Sequence, residues 1–477
     1  MSFSEYEAVI GLEVHAELKT ATKIFCSCST SFGASPNTQC CPVCMGLPGV
    51  MPTLNRRAVE LAVMAGAVLH CEIATLCRTD RKQYFYPDLP KAYQISQADK
   101  PLCRNGSLTF STPDGERRVG IIRIHIEEDA GKLIHRDGKT LIDYNRCGVP
   151  LIEIVSAPDL RSGAEAAAYL RALRSILATC GISDGKMQEG SLRCDVNISV
   201  REKGSQAFGV RTEIKNLNSF TFVEKAIEYE TRRHCEMIAR GEAVSMETRR
   251  YDPTTGKTYP MRQKETSLDY RFLTEPDLPP IVLTEAEIEA LRKALPELPA
   301  ARCARLAASY GLSEKEAAIL TSDPALADYF EAGAVASRYP KQVANLLLSE
   351  VLRMCDSDPF VCPIPSARLA AVVDLFGEGT VNSTTAKKLL VRLFDADFDP
   401  REAVEREGLA QLRDPDLLVP VIDEVLSANA RAVADYKNGK IAALRALQGQ
   451  VMSRTSGRAD PVLLERLLKE RLVRDDV

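Results

Sequence analysis

Four cysteines stand at ligand spacing near the start of this 477-residue chain: Cys26-Ser27-Cys28, an interval of twelve residues, then Cys41-Pro42-Val43-Cys44. A C-x-C with a C-x2-C supplies four thiolates, enough to close a tetrahedral shell around Zn2+. No His lies nearby, so four sulfurs fill the shell and the centre is structural rather than catalytic. Cys40 is surplus and competes with Cys41. A second set of side chains carries hard oxygens. Glu13, His15 and Glu17 alternate with apolar residues over 10–18, and the alternation over 122–129 ends in Glu127, Glu128 and Asp129. Glu153 interrupts the apolar run 150–155, and Asp195 and Glu213 lie on the polar faces of two further alternating stretches. Carboxylates with a minority of His suit Mg2+ or Mn2+ better than Zn2+, and Mg2+ held by carboxylates and phosphate oxygens is the usual arrangement for ATP chemistry.

Strands must present these groups. Residues 192–200 and 209–215 each put apolar side chains on one face and charged ones on the other. Residues 202–206, with Gly204, fit a hairpin loop, and pairing Arg201 with Ala207 sets Asp195 opposite Glu213. Two facing carboxylates repel unless a cation lies between them. Each carboxylate taken alone has an ordinary reading as one partner of an Arg or Lys, and Glu17 and Asp129 keep that reading. Several strands repeat the pattern, and that repetition favours metal.

Mixed strands and helices extend to about residue 295, and the rest reads as helix. Residues 276–280, Pro-Asp-Leu-Pro-Pro, read as a linker. Thr284 with Glu287 and Ser313 with Glu316 fit capping boxes, and Asp460-Pro461 fits a helix start. A break near Arg401 divides the helical part. The fold class is therefore α+β, with a mixed domain over 1–295 and helical pieces over 296–400 and 401–477.

Net charge is −4, from 61 basic and 65 acidic residues, which excludes a surface built for duplex DNA but leaves room for a local basic patch. From Arg431 to Asp460, six basic residues (Arg431, Lys437, Lys440, Arg445, Arg454, Arg458) face two acidic ones. No apolar run is long enough to span a membrane, and the N-terminus lacks the pattern of a secretory signal, so a cytosolic protein is expected. The other ten of the 15 Cys, Cys40 aside, are scattered and read as small buried hydrophobes. Asp80-Arg81-Lys82 and Tyr84-Phe85-Tyr86 could hold a phosphate or stack on a base, or simply form an ordinary strand with aromatic packing. The GK-T triplets at 138–140 and 256–258 lack the upstream Gly of a phosphate loop, and no other nucleotide signature is present.

Several segments together resemble one family: residues 9–15, the cysteine pairs, 80–91, 125–132, 189–195 and 213–220. It is the GatB family, whose members serve the aspartyl/glutamyl-tRNA amidotransferase, and the resemblance runs nearly end to end. It implies a cradle domain near 1–295, a helical domain and a YqeY-like tail, which matches through residues 436–440 and 449–452. It implies that the cradle binds the aminoacylated 3′ end of a misacylated tRNA and uses ATP and Mg2+ to phosphorylate the side-chain carboxylate of Glu or Asp. Ammonia released from glutamine by an amidase partner, GatA, then displaces the phosphate. A small third protein, GatC, clamps the other two together in a heterotrimer. By position, Glu13, His15, Glu128, Glu153, Asp195 and Glu213 are the expected Mg2+ set, with Glu127 competing for the place of Glu128 because strict alternation puts it with His125. Cys26, Cys28, Cys41 and Cys44 match the zinc pattern, and Lys437, Lys440, Arg445, Arg454 and Arg458 are expected to contact tRNA. The alternatives are a zinc-stapled tRNA scaffold without catalysis and a metal-dependent hydrolase.

Overall fold

The computed structural model describes residues 4–263, 270–355, 357 and 359–474. The chain divides into two compact units, Met1–Pro299 and Ala300–Val477. The first unit contains strands β1 (Tyr6–Glu17), β2 (Glu72–Ile73), β3 (Leu76–Cys77), β4 (Asp80–Gln83), β5 (Tyr93–Ser96), β6 (Cys103–Thr112), β7 (Gly115–Glu128), β8 (Lys132–Arg136), β9 (Lys139–Asp143), β10 (Pro150–Ser156), β11 (Leu192–Glu202), β12 (Thr212–Lys215), β13 (Glu247–Asp252), β14 (Lys257–Gln263), β15 (Leu273–Thr274) and β16 (Ile281–Val282). Its long helices are α1 (Arg56–Val68), α2 (Gly163–Thr179) and α3 (Phe220–Ala239), followed by the shorter α4 (Glu285–Lys293).

Nine strands form one sheet in the order β14-β13-β12-β11-β1-β10-β7-β6-β2. Every pairing in it is antiparallel except β12 with β13, which is parallel and connected through α3. The two-residue period of a strand sorts side chains onto two faces. On β1, Ile10, Leu12, Val14 and Ala16 are almost wholly buried and belong to the same core as residues of α1, α2 and α3. Each of the three larger side chains, Ile10, Leu12 and Val14, contributes roughly 1.5–3 kcal/mol on burial. Glu13, His15 and Glu17 occupy the other face. Burying the apolar set therefore fixes which way the charged set points.

The register differs from the expected hairpin. Asn197, not Asp195, pairs with Glu213, because β11 runs on to Glu202 and β12 begins only at Thr212. Gly209 permits the wider return: a Cβ there would lie 2.1 Å from the carbonyl oxygen of Val200. Asp195 pairs instead with Glu13 on β1.

Residues 276–280 are not a boundary. After them β16 pairs with β3, and α4 packs against α1, so the chain stays in the first unit through Pro299. The second unit is helical throughout its regular elements among the described residues. It has two separate apolar cores, one spanning Leu306–Val404 and the other Leu418–Leu472. Val404 belongs to the earlier core, which therefore extends into the helix Pro400–Arg406. The capping boxes of Thr284 and Ser313 form, and the Asp460 carboxylate caps the helix Pro461–Arg474 by accepting from the amide of Val462 at 2.9 Å. No helix among the described residues is long and apolar enough to cross a membrane.

Candidate metal centres and the surrounding site

The polar face of the large sheet gathers two groups of ligand-type atoms. His15, Glu127 and Glu153 form one, Glu13, Asp195 and Glu213 the other, and within each group the ligating atoms lie within 4.8 Å of one another. The register explains both. His15 pairs with Glu153 and Glu153 with His125, while Glu13 pairs with Asp195. His15 Nε2 is 3.5 Å from Glu127 and 3.4 Å from Glu153, and His125 Nε2 is 3.7 and 3.5 Å from the same carboxylates.

Glu128 does not join them, which corrects its expected place. Strict alternation holds to the end of β7, so Glu128 shares the face of Ile124 and Ile126 while Glu127 follows His125. Glu128 is sealed from solvent, 2.6 Å from Lys91 Nζ, and accepts the amide of Ile95 at 2.9 Å. Glu17 and Asp129 form a separate set with Arg193, whose Nη2 is 2.7 Å from Asp129, and with Arg146 at 3.4 Å. Burial and the neighbouring Asp129 push the Glu17 carboxyl up to about 8, while the two arginines hold Asp129 low against the effect of burial.

Negative charge in the first group is partly met by protons. Burial opposes charging His15, but its bond to Glu153 and the charges of Glu127, Glu153 and Asp195 outweigh that and push it up to about 9. Glu153 stays well below the usual carboxylate range: burial opposes this, and the bond to His15 with the charge of His125 overcomes it. In the second group Lys215 Nζ lies 2.5 Å from Asp195 and 3.4 Å from Glu213. Asn197 donates to Glu13 Oε1 at 2.9 Å, and Thr248 Oγ1 donates to Glu213 Oε2 at 2.8 Å. Asn197 and Lys215 were visible as members of the polar faces. The register alone makes them neighbours of Glu13, Asp195 and Glu213.

The cysteine set is local. The Sγ atoms of Cys26, Cys28, Cys41 and Cys44 lie within 4.8 Å of one another, in the segment between β1 and α1. The amide of Cys41 donates to Cys44 Sγ at 3.2 Å in a tight turn closed by Gly46, whose φ is +63°. Cys40 stands outside the set, its Sγ 3.9 Å from Asn145 Oδ1. Lys23 gave no signal in the sequence, yet it is fully buried with Nζ 3.7 Å from Cys44 Sγ and 3.2 Å from the Tyr144 carbonyl. The bond from Cys26 draws Cys44 down to about 4, against burial and with help from the Cys41 amide and Lys23. An easily formed thiolate and three nearby thiols fit the donor set of a zinc centre.

The basic and aromatic stretch is split between roles. Arg81 is committed to Glu275 at 2.7 and 2.8 Å and to Asp277 at 2.9 Å. Lys82 lies over the ring of Tyr270 at 4.8 Å, and Tyr84 stacks on Tyr86 with Phe85 exposed. In the tail, Lys440 pairs with Asp435 at 2.8 Å, Arg454 with Glu424, and Arg458 donates to the carbonyl oxygens of Gly408 and Thr455.

Residues 8–289 match the family model of the GatB/GatE catalytic domain, and residues 328–472 match the GatB domain. The second match begins inside the helical region, so it does not separate a tail from the helices before it. The chain is 51% identical to the B subunit of the aspartyl/glutamyl-tRNA(Asn/Gln) amidotransferase of Moorella thermoacetica, over 98% of this chain and 100% of the relative. It is 49% identical to the protein of the same name from Carboxydothermus hydrogenoformans and 50% to that from Caldicellulosiruptor bescii, each over 98% of this chain and 99% of the relative. A catalytic-domain match over more than half of the chain, with full-length relatives at this identity, means that the protein belongs to the GatB/GatE family.

Proposed function

We propose that this chain is the GatB component of a glutamine-dependent tRNA amidotransferase, a carbon–nitrogen ligase, and that its first unit activates the side-chain carboxylate of Glu or Asp carried on tRNA. The observation that carries the reading is the pair of ligand groups on one sheet face in a chain that matches the GatB/GatE catalytic domain. A carboxylate is a poor acyl donor. Transfer of the ATP γ-phosphoryl group to it, with loss of ADP, makes an acyl phosphate; ammonia then attacks the acyl carbon and inorganic phosphate leaves. A Mg2+ ion held by these carboxylates would supply charge neutralisation for the phosphoryl oxygens. His15, Glu127 and Glu153 would hold one cation, and Glu13, Asp195 and Glu213 another. Lys215 supplies fixed positive charge beside the second group. Ammonia would come from the amidase GatA, with the small GatC completing a heterotrimer. The four cysteines would bind structural Zn2+, and the tail would contact tRNA through Lys437, Lys440, Arg445, Arg454 and Arg458. Cytosolic translation is the setting that this reaction implies.

A second reading, a zinc-stapled scaffold that presents tRNA to another chain, is favoured by the missing phosphate loop. The test is ATP cleavage by the complex with GatA and GatC, with and without misacylated tRNA. Turnover that needs both Mg2+ and the charged Glu or Asp supports the activating role. Firm tRNA binding without stimulated turnover sinks it in favour of the scaffold.

A further inference from the structure

Behind the carboxylates, on the opposite face of β12 and β13, lies a second charged set that the reaction does not use. Glu230 on α3 is wholly buried. Its Oε1 lies 3.1 Å from Arg249 Nε, and its Oε2 lies 2.8 Å from Arg233 Nη2 and 3.3 Å from His234 Nε2. His234 Nε2 is in turn 3.0 Å from Thr212 Oγ1. Arg249 also bridges to Glu247 at 2.5 Å. Two carboxylates against two guanidinium groups balance, so this set needs no cation to complete it.

Glu230 also holds Arg233 and accepts from Thr258 on β14, but two of its lines of contact, through His234 and through Arg249, end one peptide away from an anchor of the site. Thr212 directly precedes Glu213 in β12. Arg249 directly follows Thr248, which pairs with Glu213 and donates its hydroxyl to that carboxylate. β12 has four residues, and only three of them pair with β11. Its other edge pairs along all four residues with β13, so the placement of Glu213 follows that of β13. The pairing of β13 with β14 also shifts register between Thr248 and Arg249. A bulge of this kind re-aims the side chains beside it. The extra residue, Met261, lies on β14, so the ladder is interrupted beside Thr248 and Arg249, and the Arg249 side chain, clamped between Glu230 and Glu247, fixes β13 there. Stability alone does not require this arrangement, since well-packed apolar residues commonly serve as well as a buried ion pair.

We propose that Glu230 is a positioning residue: through Arg249, and through His234 and Thr212, it sets where Glu213 stands among the cation-binding carboxylates. The proposal rests on reading Glu13, Asp195 and Glu213 as a divalent-cation group. The probe is Mn2+, titrated without nucleotide into the assembled complex of this chain with GatA and GatC, its free signal followed by electron paramagnetic resonance. Outer partners of metal ligands are typically worth about 10–100-fold in affinity. We expect Glu230→Ala to weaken Mn2+ about tenfold or more, and Glu230→Gln, which keeps the shape and one acceptor, to recover part of the loss. Thr212→Val, which removes a single contact and leaves α3 intact, should weaken it about threefold, so the idea stays testable if Glu230→Ala fails to fold. Glu213→Gln is the reference. If it weakens Mn2+ while Thr212→Val and Glu230→Gln stay within twofold of the parent, Glu230 is merely structural and the proposal falls. If Glu213→Gln itself leaves Mn2+ binding unchanged, the reading of the carboxylates as a cation group is what fails.

Discussion

The two faces of β12 and β13 handle charge in opposite ways. On the back, Glu230 and Glu247 meet Arg233 and Arg249 at contact distance, and the set is complete within the protein. On the front, Glu13, Asp195 and Glu213 converge with Lys215 as their near cation, and Glu127 and Glu153 lean on His15, His125 and a distant Arg123 at 3.9 Å. The back therefore serves geometry. The front gathers several carboxylates around few cations, the arrangement that the proposed cation sites would use.

The largest effect should come from removing a carboxylate on the front. Asp195→Ala in the assembled complex should lower tRNA-dependent ATP cleavage by more than about a hundredfold, above the usual cost of losing an outer partner, with glutamine hydrolysis by the amidase retained. A loss under tenfold would remove the contrast between the faces. The next test sharpens it within two adjacent residues. Glu127→Gln should raise the half-saturating Mg2+ about tenfold and Glu128→Gln less than threefold, because Glu128 already has Lys91; equal effects would show that both serve the cation. The cysteine set would be a third kind of charge, completed by the zinc proposed for it. Cys41→Ser should abolish zinc retention and lower the melting temperature on the order of 5 °C, while Cys40→Ser does neither; zinc measured by elemental analysis decides between them.

The smallest effect concerns the back face and pH. Burial opposes the Glu230 charge, but bonds from His234, Arg233 and Thr258 overcome it and hold the carboxyl down to about 2, below its ordinary 4.5. A depressed carboxyl adds stability that is fully present above about 4.5 and is lost as pH falls toward 2. Glu230→Gln should thus unfold at lower urea than the parent at neutral pH, and the gap should close between pH 4.5 and 2. A gap independent of pH would mean that the carboxylate charge is not what stabilises the back face.

How much of this was legible depended on how far apart the contributors lie. The cysteine set comes from one segment, so spacing alone marked its four members, and only Cys40 needed the folded chain to be set aside. The carboxylates come from β1, β7, β10, β11 and β12, and alternation told which face each occupies but not which residues meet. A two-residue error in the turn after β11 exchanged Asn197 for Asp195 opposite Glu213. Relaxing alternation at the end of β7 put Glu128 where Glu127 stands. Lys23 and Glu230 were silent because nothing in a single chain marks which charged residue will be buried. In the second unit and just before it, capping signals located three helix starts correctly, since capping is decided within four residues.

The sheet order has a consequence for how the protein is made. Of the nine strands, the one synthesised first, β1, is the central one, and its partners β10 and β11 lie far along the chain. At ordinary elongation rates that wait is on the order of tens of seconds, during which an apolar strand with two open edges leaves the ribosome unpaired. Contacts this distant in sequence also close slowly. Nascent chains halted before β11 should therefore be held by chaperones or aggregate, and chains released after β14 should not.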